Sequence, residues 1–264
     1  MISFTTADLN AWIAAFFYPL ARILALLVVA PPFNNVAINV RVRLLTGLAI
    51  ALAIAPALPP LPAIEPSSGR GLLILAQQML IGFAMGFVVR LVFSAIDMAG
   101  VMIGMQMGLG FATLYDPEDR SQTPVLSEFL GLVALLVFVT MNGHLLMIAT
   151  LTQSFSLLPI GGPLPASASW RNVAGAGAII FTSGLALSLP IVLALLITNV
   201  ALGVLTRAAP QLNLFAVGFP LTLTLGFVML ILAIGHLSGP LQQLFEHGLQ
   251  SMLGYFVPAG TGGG

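Results

Sequence analysis

Residues 72–111 read LLILAQQMLIGFAMGFVVRLVFSAIDMAGVMIGMQMGLGF, and how this stretch is read decides the fold class. It is apolar almost throughout, with polar side chains at Gln77, Gln78, Arg90, Asp97 and Gln106. The chain around it has the same character. Of its 264 residues 59% are hydrophobic and only 6% charged, and the mean hydropathy is +1.08. Such values lie far outside the range of soluble domains. They predict an all-α integral membrane protein, because membrane barrels are built from short alternating segments instead.

Composition also excludes functions. The formal net charge is zero and lysine is absent, so there is no basic face for nucleic acid. Cysteine is absent too, which removes disulfides and thiol chemistry. Asp8 and Trp12 precede the first apolar run and Arg22 interrupts it. That is not the basic, short-cored pattern of a cleavable signal, so the segment is expected to stay in the mature protein. The whole of 1–264 reads as a single membrane-embedded domain, with 255–264 (ending GTGGG) as a flexible tail.

Apolar stretches run over 11–30, 44–58, 72–111, 125–158, 173–205 and 212–238. A span needs about 20 apolar residues. By that measure 44–58 is short, whereas 125–158 would reach ~50 Å as one helix against a ~30 Å hydrocarbon core. The long stretches carry breakers near their middles: TMNGHLL at 140–146, Pro190 and Pro220. Proline removes an intrahelical hydrogen bond and kinks a helix, so bent helices, broken helices and helical hairpins are expected. The proline-dense segments 55–71 and 158–171 read as extended connectors. Arginines flank loops of both sets, which leaves the orientation open.

Charge inside apolar stretches carries information because it costs ~2.5–3.5 kcal/mol at mid-bilayer on insertion scales. Arg22, Arg90, Asp97 and Gln106 are therefore expected to face protein or water. Arg90 and Asp97 are two turns apart and suit partners on other helices better than each other. Gly82 and Gly86, then Gly100, Gly104 and Gly108, recur at every fourth position, a spacing that lets helix backbones approach closely. Met98, Met102, Met105 and Met107 surround the second run and can fill irregular gaps. Two readings stay open: packing within the chain, or a helix that meets neighbouring subunits or lines a pore.

No catalytic or cofactor motif is present. His144, His236 and His247 form no metal-ligand spacing, and neither a phosphate-binding loop nor a GxSxG element occurs. Neither an enzyme nor a cofactor is expected. The densest charge lies instead in GLGFATLYDPEDRSQTP, residues 108–124. There Asp116, Glu118, Asp119 and Arg120 stand between Gly108, Gly110, Phe111, Leu114 and Tyr115 on one side and Pro124 on the other, with Pro117 among them. On these residues alone, a solvated interhelical loop is the simpler reading.

The segment FYPLARILALLVVAPPFNNVAINVRVRLLTGLAIALAIAP resembles the opening of the FliR family of flagellar biosynthesis proteins, the export-gate family of type III secretion. The resemblance continues through GMQMGLGFATLYDP, TPVLSEFL, NGHLLMIATLTQSFSLLPIG and GFPLTLTLGF, and so covers nearly the whole chain. It implies a subunit of the flagellar protein export gate, in the bacterial inner membrane within the flagellar basal body. Its implied partners are FliP-like and FliQ-like gate subunits, an FlhB-like subunit and unfolded export substrates. It also implies that the loop over residues 106–122 projects into the lumen and helps plug the closed channel. A water-filled lumen would tolerate the charges that lipid forbids. Gly108 and Gly110 would let the backbone leave the preceding helix, and Phe111, Leu114 and Tyr115 would add obstructing bulk. Two alternatives stand beside this reading. One is the related export-gate subunit of a virulence injectisome; the other is a secondary transporter, which also uses broken helices and intramembrane Arg and Asp.

Overall fold

The fold is that of a computed structural model, which describes residues 6–35, 38–58, 65–110, 124–209 and 214–256. Eight α-helices follow one another among these residues, with no strand. They are α1 (Thr6–Val29), α2 (Val40–Ile54), α3 (Gly69–Gln106), α4 (Val125–Thr140), α5 (Gly143–Leu157), α6 (Ser167–Gly175), α7 (Ala178–Ala208) and α8 (Leu214–Gly254), with a 3₁₀ turn at Ala55–Ala57. Four apolar segments are long enough to cross a membrane, on Val40–Ala57, Gly69–Gln106, Ser167–Ala208 and Val217–Gly254. The broken pair α4 and α5 makes a fifth if it is counted as one span. The chain is an all-α integral membrane protein.

Local chemistry sets the helix ends. Ser68 caps α3: its Oγ accepts from the Gly71 N–H at 3.0 Å and donates to the Glu65 carbonyl at 2.6 Å, so one of the first orphan donors is satisfied. Asn39 does the same for α2 through the Arg41 N–H, at 3.2 Å. The break expected near TMNGHLL falls at Asn142, which adopts φ 58° and ψ 30°. Among non-glycine residues, Asn is one of the few that tolerate this left-handed conformation.

The prolines do not end the helices. Pro190 lies inside α7, and Pro220 and Pro240 lie inside α8, so neither stretch is divided. One missing donor in the 31 residues of α7 and two in the 41 of α8 are a small fraction of each hydrogen-bond ladder. Helix α8 also runs on past residue 238 to Gly254. Its polar extension still buries Leu241, Phe245, Leu249 and Met252, a helical repeat that keeps one face apolar. Phe256, inside the expected tail, is buried and stacks edge-on against Trp170 at 5.6 Å; residues 257–264 lie outside the described residues.

The helices gather into two compact units. The first takes residues up to Leu91, Asn142–Ala176 and those from Glu246 onward; the second takes Val92–Met141 and Gly177–Phe245. Helix α3 thus gives residues 69–91 to the first unit and 92–106 to the second. It is the most enclosed of the four long apolar segments, 61% buried over its apolar window against 22% for each of the other three. In the first unit, α1 contributes Tyr18, Ile23, Leu26 and Leu27 to the core, and α5 contributes Met147, Leu151 and Phe155. In the second, Phe93, Phe138 and Phe245 form a ring trio with centroids 5.0–5.7 Å apart, within the favourable range for tilted and edge-on aromatic pairs.

Candidate functional site

The most constrained polar group lies in the first unit. Arg22 sits on α1 with 0% of its surface exposed. Its Nε donates to Oε1 of Gln78 on α3 at 2.8 Å, and Nη2 donates to the same oxygen. Nη1 donates to Ser154 Oγ at 3.0 Å, and Nη2 also reaches the Leu158 carbonyl at 2.7 Å. The guanidinium carbon stands 4.3 Å from the centroid of the Phe155 ring, a cation–π contact.

None of these partners is a carboxylate. The positive charge is met by neutral oxygens, two of which lie at the C-terminal end of α5. The aligned peptide dipoles of a helix place roughly half a negative charge there, so the end of α5 does part of the work of a counter-ion. The Leu158 carbonyl is one of the acceptors a helix terminus leaves without a partner, and Arg22 supplies its donor. One side chain thereby ties together α1, α3 and α5. The next glutamine extends the tie, since Nε2 of Gln77 reaches the carbonyls of Gly162 and Pro163, each at 3.4 Å.

Glycine makes this proximity possible. A Cβ at Gly82 would fall on the Arg22 carbonyl oxygen and 2.9 Å from Ala25 Cβ. One turn along, a Cβ at Gly86 would stand 2.8 Å from the Leu26 carbonyl. The two residues form a notch in α3 that seats the backbone of α1.

The second run of glycines divides. In the second unit a Cβ at Gly100 would meet the Ser127 backbone at 2.5–2.7 Å, and Ser127 Oγ donates to the Asp97 carbonyl at 2.8 Å. Gly82, Gly86 and Gly100 therefore pack within the chain. Gly104 has room, with nothing nearer than 3.9 Å to an added Cβ. Gly108 follows α3 with φ 85°, a conformation that side chains other than glycine rarely adopt. Gly110 lies in 3₁₀ conformation.

Of the other polar candidates, Arg90 is exposed. With the Asn34 amide turned so that its nitrogen donates to the Val28 carbonyl (2.9 Å), its oxygen accepts from Arg90 at 3.2 Å. Asp97 is exposed and Gln106, the last residue of α3, is half-buried. Arg90 and Asp97 fall in different units. Phe111, Leu114, Tyr115, Asp116, Pro117, Glu118, Asp119 and Arg120 lie outside the described residues. No group of three or more His, Cys, Asp or Glu side chains that could hold a metal occurs among the described residues. Sequence reasoning missed Ser154, Phe155 and the Leu158 carbonyl, and left Gln78 without a role. The available signal was two adjacent glutamines and a serine in otherwise apolar helices.

Long apolar helices, a buried arginine clamp and a notch for close helix packing define a membrane protein held together by polar and small-residue contacts. Residues 13–248 match the family of bacterial export proteins, family 1. The chain belongs to that family. It is 44% identical over 246 residues to the flagellar biosynthetic protein FliR of Pectobacterium carotovorum subsp. carotovorum, covering 93% of this chain and 94% of that one. To the FliR of Escherichia coli (strain K12) it is 42% identical over 240 residues, 91% of each chain. The FliR of Bacillus subtilis (strain 168) is 26% identical over 241 residues, covering 90% of this chain and 93% of its own.

Proposed function

We propose that this chain is a subunit of the flagellar type III protein export gate, in the bacterial inner membrane at the flagellar basal body. The observation that carries the reading is the near full-length likeness to two proteins named as flagellar FliR, at 44% and 42% identity. Those names favour the flagellar branch over an injectisome. In this reading the whole chain acts as one export-gate domain, performs no catalysis of its own, and assembles with FliP-like, FliQ-like and FlhB-like subunits around the path of unfolded export substrates. The Arg22 clamp and the α3 notch support it as devices that hold a gate subunit in shape without a ligand.

The loop that begins at Gly108 is assigned the plug. Its charge suits a wet lumen, and its root is anchored. Met107 is fully buried against Gly226, where an added Cβ would meet its side chain at 2.5 Å, and Thr222 Oγ1 donates to the Met107 carbonyl at 3.4 Å. Two measurements test the reading. The chain, expressed in a bacterium lacking its own FliR, should restore motility and co-purify with the other gate subunits; recovery as a solitary, solute-binding protein would point to a transporter instead. Deleting residues 115–119 should leave the complex assembled but leaky to ions. Unchanged conductance with intact assembly would remove the plug and leave the subunit assignment in place.

A further inference from the structure

In the first unit, α3 opens to its surroundings along one line. Over residues 80–90 its exposed side chains are Leu80, Phe83, Phe87 and Arg90. Steps of three, four and three residues place them in a single stripe on one helix face, apolar as far as the guanidinium at its end. The helix rise sets the level of that end. Residues 72–89 cover ~27 Å, close to the ~30 Å hydrocarbon core, and their two polar side chains, Gln77 and Gln78, are buried. Arg90 therefore reaches the level of lipid headgroups, where a long basic side chain is tolerated.

A second arginine is held at the same place. With the Asn34 amide turned as above, its oxygen accepts from Arg90 Nη1 at 3.2 Å. The carbonyl of the preceding residue, Phe33, accepts from Arg43 Nε at 3.1 Å. Both acceptors are neutral, and neither guanidinium makes an ion pair among the described residues. The first turn of α2 adds Arg41 and no acidic residue. Positive charge thus gathers where α1 turns into α2, at the end of an apolar stripe.

We propose that the first unit carries a site for an anionic phospholipid, with its phosphate held by Arg90 and Arg43 and an acyl chain laid along Leu80, Phe83 and Phe87. A guanidinium matches phosphate oxygens with its fork of donors, and basic groups between membrane helices suit acidic headgroups. The stripe selects the rest of the molecule. An acyl chain covers Leu80, Phe83 and Phe87 without needing a hydrogen bond, whereas an acidic peptide would bring backbone groups that apolar side chains cannot satisfy. A free phosphate would leave the stripe unused. The inference needs only the membrane assignment and stands apart from the export-gate reading.

The test uses the purified full chain in dodecyl maltoside, titrated with phosphatidylglycerol, phosphatidylcholine, inorganic phosphate or soluble poly-glutamate. Thermal unfolding followed by circular dichroism gives the apparent affinity for each. Phosphatidylglycerol should stabilise the chain at lower concentration than phosphatidylcholine of the same chain length. Arg90→Gln keeps an amide donor for Asn34 and should weaken phosphatidylglycerol about fivefold, as should Arg43→Gln; that is the fold-change for ~1 kcal/mol per arginine at an anionic headgroup. Arg171→Gln, at an exposed arginine of α6, should leave the affinity unchanged. A second measurement keeps both arginines. The chain has no cysteine, so Phe87→Cys carries a single fluorophore, which phosphatidylglycerol with brominated acyl chains should quench at lower concentration than brominated phosphatidylcholine. Equal quenching by the two lipids, or unchanged affinity in both arginine variants, would overturn the site. Stabilisation of the same size by inorganic phosphate alone, or by poly-glutamate, would overturn it in favour of a free phosphate or an acidic protein segment.

Discussion

Replacing Arg22 by Met removes the charge while keeping much of the side chain's length, so the effect isolates the polar contacts. Arg22 satisfies Gln78 Oε1, Ser154 Oγ and the Leu158 carbonyl. Ser154 keeps its own bond to the Leu151 carbonyl at 2.6 Å, which leaves two acceptors stranded. A buried unsatisfied acceptor costs about 1–3 kcal/mol, so Arg22→Met should destabilise by about 2–6 kcal/mol, a large share of the ~5–15 kcal/mol typical of folded domains. Gln78→Leu should be comparably harmful for the opposite reason. It removes the oxygen that accepts from both Nε and Nη2, while Ser154 and the Leu158 carbonyl still hold the cation, so a loss of about 1.5–3 kcal/mol is expected. In the double variant the stranded oxygen of Gln78 and the unmet guanidinium donors of Arg22 are both gone. Its loss should fall short of the sum of the singles by about 1–3 kcal/mol, the coupling expected of residues in one network. Arg22→Lys should not rescue, because one ammonium cannot span acceptors that the guanidinium fork reaches from both sides. Unfolding by SDS titration from mixed micelles, followed by circular dichroism and by the fluorescence of Trp170, measures all four. Additivity of the two singles within about 0.5 kcal/mol would refute the clamp.

Three further outcomes follow from the packing. Gly100→Ala should destabilise the chain by up to about 2 kcal/mol net because its methyl meets Ser127 backbone, whereas Gly104→Ala should be neutral to stabilising by up to about 1 kcal/mol; the same unfolding titration checks both. Gly104→Leu should insert in membranes normally, since insertion depends on hydrophobicity; if α3 also meets another subunit there, recovery of that subunit should fall. Asn142→Val should cost about 1–2 kcal/mol at its left-handed backbone and Asn142→Gly almost nothing; equal losses in the unfolding titration would show that the side chain, not the backbone, matters there.

How far the fold can be read from the sequence depends on the range of the interaction. The apolar runs and the break at Asn142 are local, and the break was visible as Asn-Gly within an apolar stretch. The continuity of α7 and α8 through their prolines was not, because breaker residues were weighed without the long ladders on either side. The polar extension of α8 was hidden by Gln242, Gln243, Glu246 and His247, although Leu241, Phe245, Leu249 and Met252 keep the helical spacing. Arg22 was legible as a cation needing a partner. Its partners were not, since Gln78, Ser154 and Leu158 lie 56, 132 and 136 residues away and none is the acid that charge pairing would suggest.

Glycine spacing illustrates what sequence leaves undecided, because Gly82/Gly86 and Gly235/Gly239 are the same motif with opposite surroundings. Adding one methyl tests the difference by sign. In a helix interior, Gly→Ala by itself stabilises by about 0.8–1.0 kcal/mol through backbone entropy. At Gly239 nothing lies within 4 Å of the new Cβ, so the isolated chain should gain up to about that much. At Gly86 the same methyl stands 2.8 Å from the Leu26 carbonyl and 3.1 Å from Val29 Cβ. Both are held by α1, so backbone must move, at about 1–3 kcal/mol for such overpacking. The propensity gain offsets part of this, and a net loss of up to about 2 kcal/mol is expected. SDS unfolding of the purified chain reads both variants against the unmodified one. A stabilised Gly86→Ala would mean that α1 and α3 are not in close contact at the notch, and the glycine argument would fail with it. If instead Gly239→Ala gains stability in the isolated chain yet weakens recovery of a gate subunit, the open pair on α8 acts between chains and the filled pair on α3 within one.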